Sequence, residues 1–391
     1  MKNFIFLCVL FILVFPVSGF ATFLDNNTNL SAEWTRMQAR TGSADSMDAI
    51  TYNPAGTVKM KDGFYLSIQN QVLPKSYSHK YNGVKYEADN TTKFVPGFFA
   101  MNKKGKWSQF AGVNVIGGGG SLKYKNSTID VAPLLGHFNI TDKESIFTSA
   151  FIGAFAGGAY SINEKISVSL AGRFVYGVNS LEIQDGDVLN LEKTATGFAP
   201  IIGINYSFDD KFNIGFRHEF KTSLEFEIDE FSGSLAPAFT AQQGIKKGSK
   251  NRKDFPAMTA VGASYMLNKD LKIAADLHYC WNEEVKWDDD PKADNAWELS
   301  LGAEYRVKKG LKLSTGYSYV DAGLDPEEYS TAIGKNPYHL FAAGFMVSPI
   351  EDMEVNFGAS RLFYDTKTDS SGIKYEKELW IFGLGMSYRF N

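Results

Sequence analysis

Along most of this chain, large apolar residues alternate one by one with small or polar ones. The clearest stretch is the last. From Trp380 the even positions read Trp380, Phe382, Leu384, Met386, Tyr388 and Phe390, with Ile381, Gly383, Gly385, Ser387 and Arg389 between them. Successive strand residues face opposite sides, so one face of such a strand is tall and greasy and the other small or wet. Trp297, Leu299, Leu301, Ala303, Tyr305 and Val307 alternate in the same way with Glu298, Ser300, Gly302, Glu304 and Arg306. The pattern predicts fourteen strands: 63–73, 93–102, 107–124, 146–161, 166–183, 195–208, 211–229, 255–267, 271–287, 296–307, 311–321, 337–347, 353–365 and 375–390. Connections alternate between short turns such as KKGK at 103–106 and KKG at 308–310 and longer loops such as 74–92, 125–145 and 230–254. An even strand count, short turns on one side and long loops on the other predict an all-β fold. It is a 14-stranded antiparallel transmembrane β-barrel with both chain ends on the periplasmic side. In lipid every backbone polar group must be bonded internally, so such strands have to close on themselves. Trp297, Tyr305, Tyr388 and Phe390, near strand ends, are expected in the interfacial girdles.

Two N-terminal segments do not alternate. Lys2, the apolar run Phe4 to Val17 and the small residues Ser18, Gly19 and Ala21 predict a cleaved signal peptide over 1–21. Residues 22–62 carry SAEWTRMQAR at helical spacing, with Ser31 as N-cap and Glu33 in the first turn. A barrel of this size would leave a wide interior, so 22–62 is read as a helical hatch, or plug, in the lumen, and 63–391 as the barrel. Composition agrees: 14% aromatic residues, 36 glycines and slightly negative mean hydropathy across 391 residues, with no linker. No later apolar run approaches the ~18 residues of a spanning helix. A net charge of −4 disfavours nucleic acid as a partner. Cys8 leaves with the signal, so Cys280 has no intrachain disulfide partner.

The stretch ARTGSADSMDAITYNPAG, ending at Asn53, Pro54, Ala55 and Gly56, resembles the N-terminal hatch of the outer-membrane long-chain fatty acid and hydrophobic compound transporters (FadL/TodX-like). Residues 254–283, NPYHLFAAGFMV at 336–347 and the C-terminal LWIFGLGMSYRF are similar to that family too. The chain departs from the pattern in ending on Asn391 rather than an aromatic residue, and in a short 230–254 loop. The resemblance implies passive uptake of hydrophobic molecules, most of all long-chain fatty acids. They would enter by a groove between extracellular loops, pass a lumen pocket and leave sideways at a kinked third strand. It implies no cofactor and no catalysis. Outer-membrane lipid, lipopolysaccharide and the barrel-assembly machinery are the further partners expected.

Candidate residues follow. Gly117, Gly118, Gly119 and Gly120 interrupt the third strand, and glycine there weakens pairing and marks bulges or close approaches. They form either a lateral gap or a smooth surface for the plug. Phe231, Leu235 and Phe239 in one loop, with Leu134, Leu135 and Phe138 in another, are unusually apolar for extracellular loops. They form either a ligand groove or a lid. Lys286 is a carboxylate-binding candidate. Asn53 to Gly56 either holds the hatch against the third strand or makes an ordinary turn. Lys246, Lys247, Lys250, Arg252 and Lys253 read as a solvated run. Arg173, Arg217, Glu219, Asp276, Glu298, Glu304, Arg306 and Arg389 read as charges tying plug to wall. Asp276 and His278 share an inward face, but no serine accompanies them, so a buried polar pair is favoured over a hydrolase. No Cys/His metal spacing occurs. The competing function is a water-filled diffusion porin, with a structural or adhesive barrel third.

Overall fold

The computed structural model describes residues 31–390 except 130, 133, 134, 136, 137, 139, 141, 142, 289–292 and 330–334, and omits the side chains of 89, 242 and 243. The expected signal peptide lies outside the described residues. Fourteen strands form the wall: β1 (Gly63–Tyr81), β2 (Val84–Lys104), β3 (Trp107–Tyr124), β4 (Ser145–Ser161), β5 (Ile166–Ile183), β6 (Leu189–Ser207), β7 (Phe212–Glu219, resumed at Glu225–Ser232), β8 (Lys250–Arg252, resumed at Met258–Met266), β9 (Leu271–Cys280), β10 (Ala296–Lys308), β11 (Leu311–Asp321), β12 (Tyr338–Val347), β13 (Met353–Tyr364) and β14 (Lys374–Phe390). Each pairs antiparallel with its neighbour, and β14 closes on β1 from Phe64↔Phe390 to Lys80↔Lys374. The alternation sorts as expected. Leu66, Ile68, Leu170, Phe198, Leu301, Phe341 and Leu384 are exposed on the outside, where lipid covers them.

Three expectations are corrected. The expected loop over 74–92 is a long hairpin, with β1 and β2 paired up to Tyr81↔Val84. Its two-residue turn, Asn82 (φ 48°) and Gly83 (φ 78°), has the left-handed pair that Asn-Gly favours in hairpins. The seventh strand is not continuous over 211–229 but breaks between Glu219 and Glu225, where Phe220 N–H donates to the Pro200 carbonyl at 3.0 Å. The ninth stops at Cys280, not 287, because Trp281 leads into a short 3-10 turn over Asn282–Glu284.

Inside the barrel sit α1 (Ala32–Arg36), α2 (Ala49–Tyr52) and a 3-10 turn over Pro54–Lys59. Ser31 caps α1, its Oγ accepting the Trp34 N–H at 2.8 Å. This plug is tied to the wall polar group by polar group. Arg36 bonds Glu304 at 2.6 Å and Asn356 at 3.0 Å. Thr41 N–H donates to Asp276 at 2.5 Å, and Thr41 Oγ1 lies 3.0 Å from His278 Nε2. Ser264 and Asn213 both donate to the Gly42 carbonyl, at 2.8 and 2.9 Å. Asp276 and His278 are thus the buried polar pair favoured above. Of the other inward charges, Arg173 (3.0 Å) and Arg217 bond Glu219 within the wall. Glu298 bonds His278 at 3.2 Å, Arg389 bonds Asp352 at the periplasmic rim and Arg306 is exposed. Arg389 also donates to the Asp62 carbonyl at the end of the plug segment, at 3.0 Å, whereas Arg306 does not tie plug to wall. Burial, reinforced by the Asp48 charge, pushes the Glu33 carboxyl up to about 8, so it is mostly protonated at neutral pH.

Wall glycines face the plug because nothing larger fits. A Cβ at Gly215 would lie 2.0 Å from the Thr41 carbonyl oxygen and 2.9 Å from the Asn53 amide. Gly215→Val is therefore expected to destabilise the plugged barrel by about 1–3 kcal/mol or more, the scale of overpacking. An unchanged thermal midpoint, read from heat-modifiable gel mobility, would show that the plug can yield.

Candidate functional site

Two features stand out on the lumen's route outward. One lies under the extracellular rim. A helix, α3 (Ala236–Gln243), carries Pro237 in its first turn and ends on Gly244 in the left-handed region (φ 70°). It presses Leu235 and Phe239 into a buried cluster with Val131 and Leu135 from the 125–145 loop and Tyr124, Phe147 and Leu189 from the wall. The two apolar loops therefore meet as one lid. Between α3 and the wall remains a cavity of about 240 Å3, lined mainly by Leu181, Leu189, Leu191, Phe226, Phe231 and Phe239. Lys193, Lys250, Asn251 and Asp288 supply its polar edge. Phe231 and Phe239 line the cavity, whereas Leu235 and Leu135 pack behind it, Phe138 is exposed, and Leu134 lies outside the described residues. Lys286 lies past the end of β9 at Cys280: its neighbour Trp287 turns inward to bond the Asp254 carbonyl at 2.9 Å and Lys286 faces solvent. Of the basic run, Lys250 pairs with Glu225 at 2.8 Å and Arg252 with Asp254 at 3.0 Å, while Lys253 is buried.

The other feature is in the wall. β2 and β3 are zipped from Lys104↔Trp107 up to Gly97↔Asn114, then share only Ala88↔Tyr124. Residues 89–96 and 115–123 carry no ladder pair between the two strands. Opposite, β3 stays on β4 but with two irregularities, Val115/Gly117 and Gly117/Gly120. Gly118 (φ 84°) and Gly120 (φ 67°) lie in the left-handed region, and a Cβ at Gly118 would sit 2.4 Å from the Ser149 carbonyl oxygen. The glycine run is thus a bulge that lifts β3 off β2. Side chains lace the opened seam. Asn90 Nδ2 donates to the Ser121 carbonyl at 2.6 Å, Lys75 Nζ donates to Thr92 Oγ1 at 3.0 Å and to the Gly119 carbonyl, and Thr92 Oγ1 donates to the same carbonyl at 3.1 Å.

A buried apolar cluster joins the two features. Phe226, in the cavity wall, packs with Phe151, Phe255 and Ile116, with the Phe226 and Phe151 rings 6.1 Å apart. Phe151 is the ladder partner of Gly117 at the seam. Outside, just past the point where the ladder resumes at Gly97↔Asn114, the lipid face carries a groove of about 710 Å3 floored by Ala100, Ala111, Gly112 and Ala154. The 3-10 turn that includes Pro54, Ala55 and Gly56 touches the third strand, but its hydrogen bonds go to other strands. Asn53 Nδ2 donates to Asn205 on β6 at 2.7 Å, and Ser167 on β5 donates to the Ala55 carbonyl at 2.6 Å. Proline sets the turn, and two neighbouring strands hold it.

This architecture has relatives. The Pseudomonas putida toluene transporter TodX is 14% identical, with 93% of this chain and 99% of that one aligned at a TM-score of 0.72. The Ralstonia pickettii toluene transporter TbuX is 17% identical over 94% and 100% (TM-score 0.68). A Pseudomonas aeruginosa FadL homologue is 13% identical over 95% and 100% (TM-score 0.68). Outer membrane protein PagN of Salmonella typhimurium is 26% identical over 187 residues, 42% of this chain and 73% of that protein. The model of the outer membrane protein transport protein family (OMPP1/FadL/TodX) matches residues 20–390. The chain belongs to that family, as an outer-membrane channel for hydrophobic compounds built on a plugged fourteen-stranded barrel.

Proposed function

We propose that this channel takes up long-chain fatty acids and releases them sideways through the β2–β3 seam. The observation that carries the reading is the unbroken apolar contact from the cavity under the lid, through Phe226 and Phe151, to the glycine bulge at Gly117–Gly120. An acyl chain gains about 0.8 kcal/mol per methylene buried. It therefore follows a continuous greasy path and does not cross a wet lumen. Phe231 and Phe239 grip the chain first. Asn53 to Gly56 anchors the hatch so that the ligand is turned toward the wall and kept from falling through to the periplasm. No energy source is needed, because the outer-membrane gradient and the differences in affinity set the direction. The signal peptide over 1–21, lipopolysaccharide around the rim and the barrel-assembly machinery complete the reading.

The refolded full chain in liposomes tests it, with radiolabelled oleate and toluene binding and single-channel conductance on one preparation. Saturable oleate binding with negligible conductance is expected. Steady conductance without binding would instead make the protein a porin that shares only the fold.

A further inference from the structure

The seam is laced by a lysine that the sequence pattern did not single out. Lys75 faces the lumen from β1 and is only 4% exposed. Its ammonium reaches Thr92 Oγ1 on β2 and, beyond it, the Gly119 carbonyl on β3, both uncharged acceptors. Buried charges are ordinarily paired, and other buried cations in this lumen obey the rule: Arg36 meets Glu304, Arg40 meets Asp48, Arg173 meets Glu219 and Lys272 meets Asp45. Lys75 makes no ion pair among the described residues. Its surroundings are greasy instead, with Leu379 as its ladder partner on β14 and Leu73 and Val95 nearby in the same buried cluster. A second cation shares this face. Lys377, the ladder partner of Tyr77, lies diagonally next to Lys75 and rests over the Tyr77 and Tyr364 rings at 4.7 and 4.5 Å.

The geometry points to Lys75 as the specificity-determining residue of the lateral exit, a docking point for the anionic head of an acidic amphiphile. This rests on the lateral-exit reading above and adds the chemistry that selects the ligand. The site holds positive charge, apolar walls for a chain and no carboxylate on Lys75, and an arriving carboxylate supplies what is missing. It also competes for the hydrogens that now hold the Gly119 carbonyl. Binding the acid therefore unlaces the seam through which its own chain must leave, whereas a neutral hydrocarbon or ester leaves the Lys75–Gly119 bond in place.

The test uses the refolded full chain and compares oleate, methyl oleate and toluene binding in wild type, Lys75→Met and Lys75→Arg, with heat-modifiable gel mobility reporting folding. Wild type is expected to prefer oleate to its methyl ester by about tenfold or more, the scale of one charge-assisted hydrogen bond. Lys75→Met should lose that preference while its ester binding stays within about twofold, about 0.4 kcal/mol, and Lys75→Arg should retain it. Equal losses for oleate and ester in Lys75→Met would reduce Lys75 to a structural brace and overturn the inference, as would undiminished oleate preference. The wild-type comparison decides even if a variant does not fold. Binding of ester and toluene without preference for oleate would sink this inference alone, and binding of none of the three would sink the uptake reading with it.

Discussion

Deleting Gly118 and Gly119 is expected to leave a folded barrel that takes up oleate about tenfold more slowly or worse. The register supplies the reasoning. From Val115↔Ile152 to Gly120↔Ser149, β3 takes five steps while β4 takes three, so β3 holds two surplus residues. Removing two keeps every later side chain on its present face, because strand faces repeat every two residues. Asn114, Ile116, Leu122 and Tyr124 point inward now and would still do so. The deletion also removes the left-handed position at Gly118, so β3 runs straight against β4 and approaches β2. Passage through the wall would then require breaking ladder hydrogen bonds, each worth about 0.5–1.5 kcal/mol. A folded variant with wild-type uptake would sink the lateral route. One that fails to fold would show that the bulge is needed to close the barrel, which Gly119→Ala, whose Cβ would meet only the Lys75 ammonium at 3.8 Å, can separate from transport.

What could be read in the sequence follows the reach of the hydrophobic signal. Alternation locates a strand only where one face meets lipid, so all fourteen strands were legible at bilayer depth. Beyond the bilayer both faces are wet or packed against loops. Residues 74–92 therefore looked like a loop, although Asn82-Gly83 carried a hairpin signature. Lys75 was missed for the same reason: on β1 it follows Pro74 in a polar stretch, and only the fold brings it to Gly119, 44 residues on. The glycine run and the apolar character of the loop around Phe239 were legible, since both are anomalies of composition. That the two are joined through Phe151 and Phe226 was not, because these contacts link residues that no local pattern relates. The end of β9 at Cys280, six residues before Lys286, was not legible either, because the alternation runs on past it.

The plug offers the other large effect. Removing residues 31–60 is expected to turn a silent channel into a steadily conducting pore. A fourteen-stranded wall without filling encloses an aqueous passage, and the partners left behind here, Glu304, Asp276, Asn356 and Asn205, are polar. In the intact protein, taking away Arg36 would still leave the buried Glu304 paired with Lys272 and Lys312 of the wall, at 3.2 and 3.1 Å. With the whole plug gone, those lysines remain and water also reaches Glu304, so the wall is expected to survive the complete deletion. Heat-modifiable mobility should persist while single-channel recordings show stable openings. Oleate binding under the lid should survive, because Phe226, Phe231 and Phe239 do not touch the deleted segment through any described hydrogen bond or cluster. Closed recordings from a folded plug-less barrel would mean that the lid cluster of Leu135, Leu235 and Phe239 seals the mouth by itself. The plug would then steer the ligand without holding back water.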